Sequence, residues 1–219
     1  MKTQALLSLW LTFSLSTPTL AHFTAPETAT MANAIEMKTA GNCTYEVNPD
    51  SVKVNWTAFK TTDRVGVTGS FKQMELDGPT RAESFEELLK GITVTLNSRA
   101  VNLNDTLKEQ NLISYFFEKL VDENFTGQIT AVNENDQTFI LSLSLNGQVQ
   151  EIPMTYSYDP SSGKIEAKGR IDLLNHQAEN ALRSLNEKCF DLHKGPDGVS
   201  KTWPDVDLLL QAEVKSDCQ

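Results

Sequence analysis

The sequence lacks the short motifs that mark several enzyme classes, and it has few long apolar runs. It contains no Gly-x-Ser-x-Gly nucleophile motif and no glycine-rich loop of the phosphate-binding type. After the first 21 residues, no apolar run is long enough to span a bilayer. These absences argue against a serine hydrolase, a nucleotide-binding enzyme and an integral membrane segment in the processed chain.

Positive charge is also scarce. The chain has 19 Lys and Arg residues against 29 Asp and Glu residues, which gives a formal net charge of -10. A negative surface repels nucleic acid and anionic membranes, so neither is expected as a partner. Hydrophobic residues make up 39% of the 219 residues, enough for the core of one domain.

The first 21 residues have the pattern of a secretory signal peptide. Lys2 supplies the positive start, a short apolar run follows at 5–15, and small residues precede His22. We therefore expect a periplasmic or secreted protein. The predicted organisation is a signal peptide at 1–21, a flexible leader rich in Ala and Thr at 22–42, and one domain at 43–219.

The segment from Gln137 to Asp159 predicts a long antiparallel hairpin. Apolar residues alternate with polar ones on both sides of Asn146-Gly147, a dipeptide that takes the positive φ angles of a two-residue turn. Such a turn fixes the register, so Leu141 should lie opposite Ile152 and Phe139 opposite Met154, with Tyr156 on the same face. A hairpin cannot bury this face alone, so other strands must cover it.

Alternating apolar residues predict six further strands, so that the total is eight strands joined largely in sequence. Short helices are expected at Ser84–Lys90, within an insertion at 97–123 before strand 4, and between strands 7 and 8. Gly69, Gly127 and Gly169 recur within strands, where barrels bend. The predicted fold is all-β with short helices, an eight-stranded antiparallel lipocalin-like barrel; a sandwich is the alternative.

A barrel of eight strands is either filled by its side chains or holds one small ligand. The candidate interior residues lie on the central hairpin, on the second strand and at the end of the insertion. They are Phe71, Phe116, Phe117, Phe139, Leu141, Ile152, Met154 and Tyr156. These residues alone leave a solid interaction module and a ligand-binding protein equally open.

The three cysteines predict one disulfide bond in an oxidising compartment. Cys43 precedes the first strand and Cys218 follows the last, and these strands are antiparallel neighbours in a closed meander. We therefore predict a Cys43–Cys218 bridge, with Cys189 free. A third cysteine that pairs between chains would instead give a homodimer, which the sequence leaves open.

Cys189 and His193 are the candidate catalytic or metal-binding pair. They are four residues apart on a predicted helix, and a neighbouring imidazole can activate a thiol or share a soft metal with it. Two ligands are too few for zinc, which takes three or four from protein. A thiol- or metal-dependent enzyme is therefore kept as the alternative to a non-enzymatic protein, and no catalytic or metal residue is assigned.

Several short segments, in this order, give the chain a resemblance to the YceI-like family of secreted lipocalin-like proteins. They are Tyr45-Glu46-Val47-Asn48-Pro49, Val54-x-Trp56-x-Ala58, Val67-Thr68-Gly69-Ser70-Phe71, Ser98, Phe116-Phe117, Asn146-Gly147, Gly169-Arg170-Ile171-Asp172 and Thr202-Trp203-Pro204-Asp205-Val206. The resemblance implies an eight-stranded barrel around a long apolar chain such as a polyisoprenoid, a quinone tail or a fatty amide. Many members carry an Arg-Asp pair before the double Phe, whereas this chain has Asp105-Thr106-Leu107-Lys108.

The resemblance favours the ligand-binding alternative. The expected partner is a long-chain apolar small molecule bound without covalent attachment, for transport, storage or stress protection. No cofactor is expected beyond this ligand.

Overall fold

The structure is a computed structural model that describes residues 42–219. The predicted signal peptide and nearly all of the predicted leader lie outside these residues. Eleven strands form one sheet in the order β3-β5-β7-β8-β9-β10-β11-β1-β2-β6, with β4 beside β1. The strands are β1 Cys43–Lys60, β2 Val65–Phe71, β3 Met74–Asp77, β4 Arg81–Ala82, β5 Thr93–Asn97, β6 Val101–Asn102, β7 Asn124–Asn133, β8 Thr138–Leu145, β9 Gln148–Asp159, β10 Lys164–Asp172 and β11 Thr202–Cys218.

The prediction of an antiparallel β-barrel is confirmed, but the predicted number of eight strands was lower than the eleven observed. All eight predicted strands are present, and the additional three are the short β3, β4 and β6. Two of these are two residues long, which is too short for an alternating pattern to reveal them.

The central hairpin has the predicted register. Leu141 pairs with Ile152 and Phe139 pairs with Met154 between β8 and β9. At the turn, Asn146 has a φ of 54° and Gly147 a φ of 70°. These angles belong to the left-handed region, which asparagine and glycine adopt most readily.

The sheet curls into a half-barrel whose two sides are connected by a short segment of the chain. β2 pairs with β1, whereas β3 pairs with β5 at the opposite edge of the sheet. Only Lys72 and Gln73 separate these two strands, so one nearly continuous segment joins the two edges. The two end strands of the sheet, β3 and β6, do not pair with each other.

Within residues 42–219, three α-helices accompany the sheet. α1 spans Phe85–Gly91 with Ser84 as its N-cap, α2 spans Thr106–Tyr115 within the predicted insertion, and α3 spans Glu179–Lys188 between β10 and β11. The predicted helices are thus present, although α3 ends before Cys189. In the part of the chain that the structure describes, no helix is long and apolar enough to cross a membrane.

Glycines in the strands make room for large neighbours. A Cβ atom at Gly69 would lie 2.2 Å from the Trp56 ring, and one at Gly169 would lie 2.1 Å from the Met154 sulfur. Both large side chains therefore lie directly over a glycine of the adjacent strand. This packing explains two of the glycines that the sequence places within strands.

The first and last strands meet along a seam that the predicted disulfide bond closes. β1 and β11 are antiparallel neighbours, and Cys43 is paired with Cys218 in their register. The two sulfur atoms are 2.08 Å apart, across a sequence separation of 175 residues. Cys189 is buried and free. The predicted pairing is confirmed.

Candidate functional site: an apolar cavity in the barrel

The barrel encloses a cavity of about 240 Å³ rather than a solid core. Its wall consists of 36 described residues from most strands and all three helices, and polar side chains are rare among them. The polar ones are Lys53, Thr202 and Gln211. A space of this kind selects ligands by shape and by burial of apolar surface, because it offers few hydrogen-bonding partners.

Three of the predicted interior residues meet at the α2 end of the cavity. Phe71 lies 6.4 Å from Phe117 between ring centroids, and the rings of Phe116 and Phe117 are 5.3 Å apart. All three line the cavity, together with Phe125 of β7, which is 5.7 Å from Phe117. Phe116 and Phe117 are buried, so the residues that follow α2 form part of the wall.

The predicted residues of the central hairpin separate into two groups. Phe139 and Leu141 of β8 line the cavity. Ile152, Met154 and Tyr156 of β9 are buried on the same side of the sheet but are not part of the cavity lining.

Packing against neighbours accounts for this difference. Met154 is fully buried over Gly169, and the Tyr156 ring stacks on Phe139 with a centroid distance of 5.9 Å. The ring of Phe85 of α1 also contacts Tyr156, with a centroid distance of 5.9 Å. The structure therefore brings all eight predicted residues into the barrel, and five of them line the cavity.

Several lining residues were not among the predicted ones, although the sequence carries signals for them. Leu143 and Leu145 continue the β8 face that begins with Phe139, and Phe125 occupies an alternating position on β7. Trp56 and Trp203 also line the cavity, and the indole of Trp203 donates a hydrogen bond of 2.7 Å to the Thr61 carbonyl. These two indoles are natural fluorescent reporters of the cavity.

The segment that departs from the family pattern lies at the start of α2. Asp105 is the N-cap, and its carboxylate accepts a hydrogen bond of 3.1 Å from the Lys108 amide. The Lys108 ammonium lies 3.0 Å from the same carboxyl group, and these contacts hold the pKa of Asp105 below its ordinary value. Neither residue lines the cavity.

Cys189 and His193 do not share a helical face. α3 ends at Lys188, and a short 3-10 turn at Phe190–Leu192 separates Cys189 from His193. The prediction that both lie on one helix was wrong, because the chain changes from α-helical to 3-10 geometry after Lys188.

The chemistry of this pair differs from that of an activated thiol. Burial raises the pKa of the Cys189 thiol, whereas a nucleophilic cysteine needs a lowered one. The ring Nδ1 of His193 lies 2.7 Å from the Thr202 hydroxyl, and burial together with Lys60 lowers the pKa of this imidazole. Among the described residues, no three His, Cys, Asp or Glu side chains are arranged to hold a metal ion.

Comparisons with known proteins identify the fold. A polyisoprenoid binding domain from Saccharophagus degradans, implicated in plant cell wall breakdown, is similar with a TM-score of 0.51 and 14% sequence identity. The similarity covers 77% of this chain and 97% of that domain. BcnA of Burkholderia cenocepacia is similar with a TM-score of 0.51 and 13% identity, over 77% of this chain and 99% of BcnA.

A YceI protein of Campylobacter jejuni is similar with a TM-score of 0.44 and 13% identity, over 71% of this chain and 87% of that one. No protein-family model and no curated protein matches the chain. At these identities the likeness is one of fold. The family resemblance seen in the sequence is thus confirmed for the architecture of the barrel.

Proposed function

We propose that this protein is an exported, non-enzymatic binding protein that holds one elongated apolar molecule, such as a polyisoprenoid, a quinone tail or a fatty amide, inside its barrel. The observation that carries the proposal is the cavity, whose wall is apolar except for three polar residues. Each methylene group that leaves water for such a space contributes about 0.8 kcal/mol. A long chain can therefore bind with few polar contacts.

The fold and the disulfide bond support this proposal. A polyisoprenoid binding domain has the same fold, and its structural similarity covers 77% of this chain. The Cys43–Cys218 bridge agrees with an oxidising compartment, because disulfide bonds seldom persist in a reducing cytosol. Transport, storage and stress protection are roles that such a carrier could serve.

Native mass spectrometry of protein purified without detergent tests the proposal. We expect one additional mass per chain, in the range of a long-chain lipid, which extraction with organic solvent removes. Addition of geranylgeraniol as a probe to the extracted protein should change the fluorescence of Trp56 and Trp203, since both line the cavity. A chain that carries no extra mass and also shows no response to geranylgeraniol would refute the proposal.

A further inference from the structure

The barrel wall is interrupted between β1 and β3. The pairing of β1 with β2 ends at Asn55 and Ser70, and the contact of β1 with β4 involves Tyr45 and Glu46. Between them, residues 48–54 of β1 have no strand partner on this side among the residues that the structure describes. The opening therefore lies beyond the end of the β1–β2 pairing, next to β3, which pairs with β5 and not with β1.

β1 also departs from its other neighbour at this point. Asn48 pairs with Glu213 of β11, but the next paired residue is Lys53, opposite Gln211. Four residues of β1 thus face one residue of β11, and the Ser51 hydroxyl accepts a hydrogen bond of 2.8 Å from the Glu213 amide. Bulges of this kind often occur beside functional sites.

A second cavity of about 230 Å³ lies at the interruption. It shares five lining residues with the main cavity, among them Val52, Val54 and Phe71. Four of the five shared residues are apolar and the fifth is Lys53, whereas the polar residues Asn55 and Ser70 line the second cavity alone. We call this second cavity the side passage. Its wall combines apolar and polar side chains, as the surface of an amphiphile does.

The charge at the side passage has one sign. Lys53 is exposed and forms no ion pair with any described residue, and none of the eight residues lining the passage is a carboxylate. Asp50 and Glu75 are nearby in sequence but do not line it. In a chain with a formal net charge of -10, Lys53 is the one charged residue among the described residues that line either cavity. Its ammonium group complements an anion.

We propose that the ligand is an amphiphile with an anionic head group, a phosphate or a carboxylate, and that it enters tail first through the side passage. The inference rests on the proposed function, since it assigns the tail to the main cavity. The head group remains at the passage and accepts hydrogen bonds from the Lys53 ammonium, with the Asn55 amide and the Ser70 hydroxyl as further donors.

The head group is tested with three probes that share one C20 tail: geranylgeraniol, geranylgeranyl phosphate and geranylgeranoic acid. We expect the two anions to bind the wild-type protein about tenfold more tightly than the alcohol. Lys53→Gln should remove this preference, so that the affinities of the variant for the two anions and for the alcohol become equal. The matched control is Lys215→Gln, which makes the same charge change at an exposed position that does not line the side passage, and it should keep the preference.

The outcomes separate the two proposals. If no probe binds, the proposed function fails. If all three bind the wild-type protein equally, or if Lys53→Gln keeps the preference for anions, the ligand still occupies the barrel and the assignment of the head group is overturned.

The route is tested by blocking the side passage. Ser70→Trp places a large side chain in its lining, whereas Thr68→Trp places the same side chain two residues away at an exposed position outside it. Association rates measured by displacement of a fluorescent dye should fall about tenfold for Ser70→Trp alone. Circular dichroism confirms folding, and Ser70→Phe replaces the variant if it does not fold. A wild-type association rate in the folded variant would overturn the route.

Discussion

His176 is a fully buried imidazole that links two turns of the barrel. Its Nδ1 atom lies 3.3 Å from the Leu145 carbonyl, which can only accept, so Nδ1 carries the proton. The Nε2 atom is buried and has no hydrogen-bond partner among the described residues. Protonation of Nε2 would therefore place a positive charge in the interior, and burial lowers the pKa of this imidazole accordingly.

The lowered pKa of His176 predicts that stability falls in mild acid. In the unfolded chain this imidazole binds a proton as the pH drops below about 6.5, while the folded protein keeps it neutral to lower pH. The unfolded state then holds more protons, so the free energy of unfolding decreases as the pH falls through this range. Urea titrations at several pH values should show a smaller decrease for His176→Asn than for the wild type.

A part of this decrease should remain in the variant, because the pKa of His193 is also lowered. An unchanged pH dependence in a folded His176→Asn variant would contradict the account of His176.

Gly69 gives a second prediction at the scale of one residue. A methyl group there would lie 2.2 Å from the Trp56 ring, whereas at Gly127 the nearest atom is a terminal methyl of Leu141 at 3.2 Å. A terminal methyl can move away, whereas three atoms of the indole lie within 2.8 Å of the added carbon, so the whole ring would have to shift. Gly69→Ala should reduce the free energy of unfolding by about 1–3 kcal/mol, and Gly127→Ala by less. Urea unfolding measures both, and equal losses would show that the indole can move.

At the scale of the element, the turn of the central hairpin is held by the side chain of Asn146. Its amide group donates hydrogen bonds of 2.8 Å to the His176 carbonyl and 3.1 Å to the Gln177 carbonyl. Its oxygen accepts a hydrogen bond of 2.8 Å from the Val121 amide. One side chain thus connects the β8–β9 turn to the segment before α3 and to the segment before β7.

Asn146→Gly should therefore destabilise the protein although glycine tolerates the same positive φ. The change removes three hydrogen bonds and leaves the buried His176 carbonyl without this partner, which costs about 2–4 kcal/mol in total. The comparison with Asn146→Asp is informative, because a carboxylate can still accept from the Val121 amide but cannot donate to the two carbonyls. Thermal unfolding of both variants should give a melting temperature below that of the wild type. A wild-type value for Asn146→Gly would show that only the backbone angle matters.

The same residue shows how far the sequence predicts the structure. The positive φ of Asn146 and the register of the hairpin follow from local alternation and turn chemistry, which are encoded within a few residues. Its hydrogen bonds to His176 and Val121 join segments that are distant in the chain, so no local pattern contains them. For the same reason, β3, β4 and β6 were missed, since strands this short are defined by their partners.

The candidate site was predictable in part for similar reasons. Phe139 and Leu141 line the cavity as the β8 pattern indicates, but alternation also placed Ile152, Met154 and Tyr156 on the same face. Which inward residues reach the cavity depends on the packing of α1 and Gly169 around them. Periodicity gives the side of a sheet and cannot give that packing.

At the scale of the whole molecule, Met154 and Leu141 distinguish packed core from cavity wall. Both are buried, yet Met154 lies over Gly169 and Leu141 lines the cavity. Met154→Ala should therefore leave a void in a filled region and reduce the free energy of unfolding by about 2–5 kcal/mol. Urea unfolding of the ligand-free protein measures this loss, and a loss well below 2 kcal/mol would place Met154 beside empty space instead.

Enlargement of Leu141, in contrast, should leave the stability of the ligand-free protein nearly unchanged. In a filled barrel Leu141→Trp would overpack the interior at about 1–3 kcal/mol, which lowers the melting temperature by several degrees in a chain of this size. In the observed barrel the side chain borders a cavity of about 240 Å³, and the larger ring can occupy part of that volume. We therefore expect the ligand-free variant to melt within about 2 °C of the wild type. The same ring should exclude an apolar chain, so the purified variant should lose the lipid mass that native mass spectrometry detects with the wild type. A variant that fails to fold would show that the interior beside Leu141 is already filled. A folded variant that retains lipid at the wild-type level would show that the cavity does not hold the ligand.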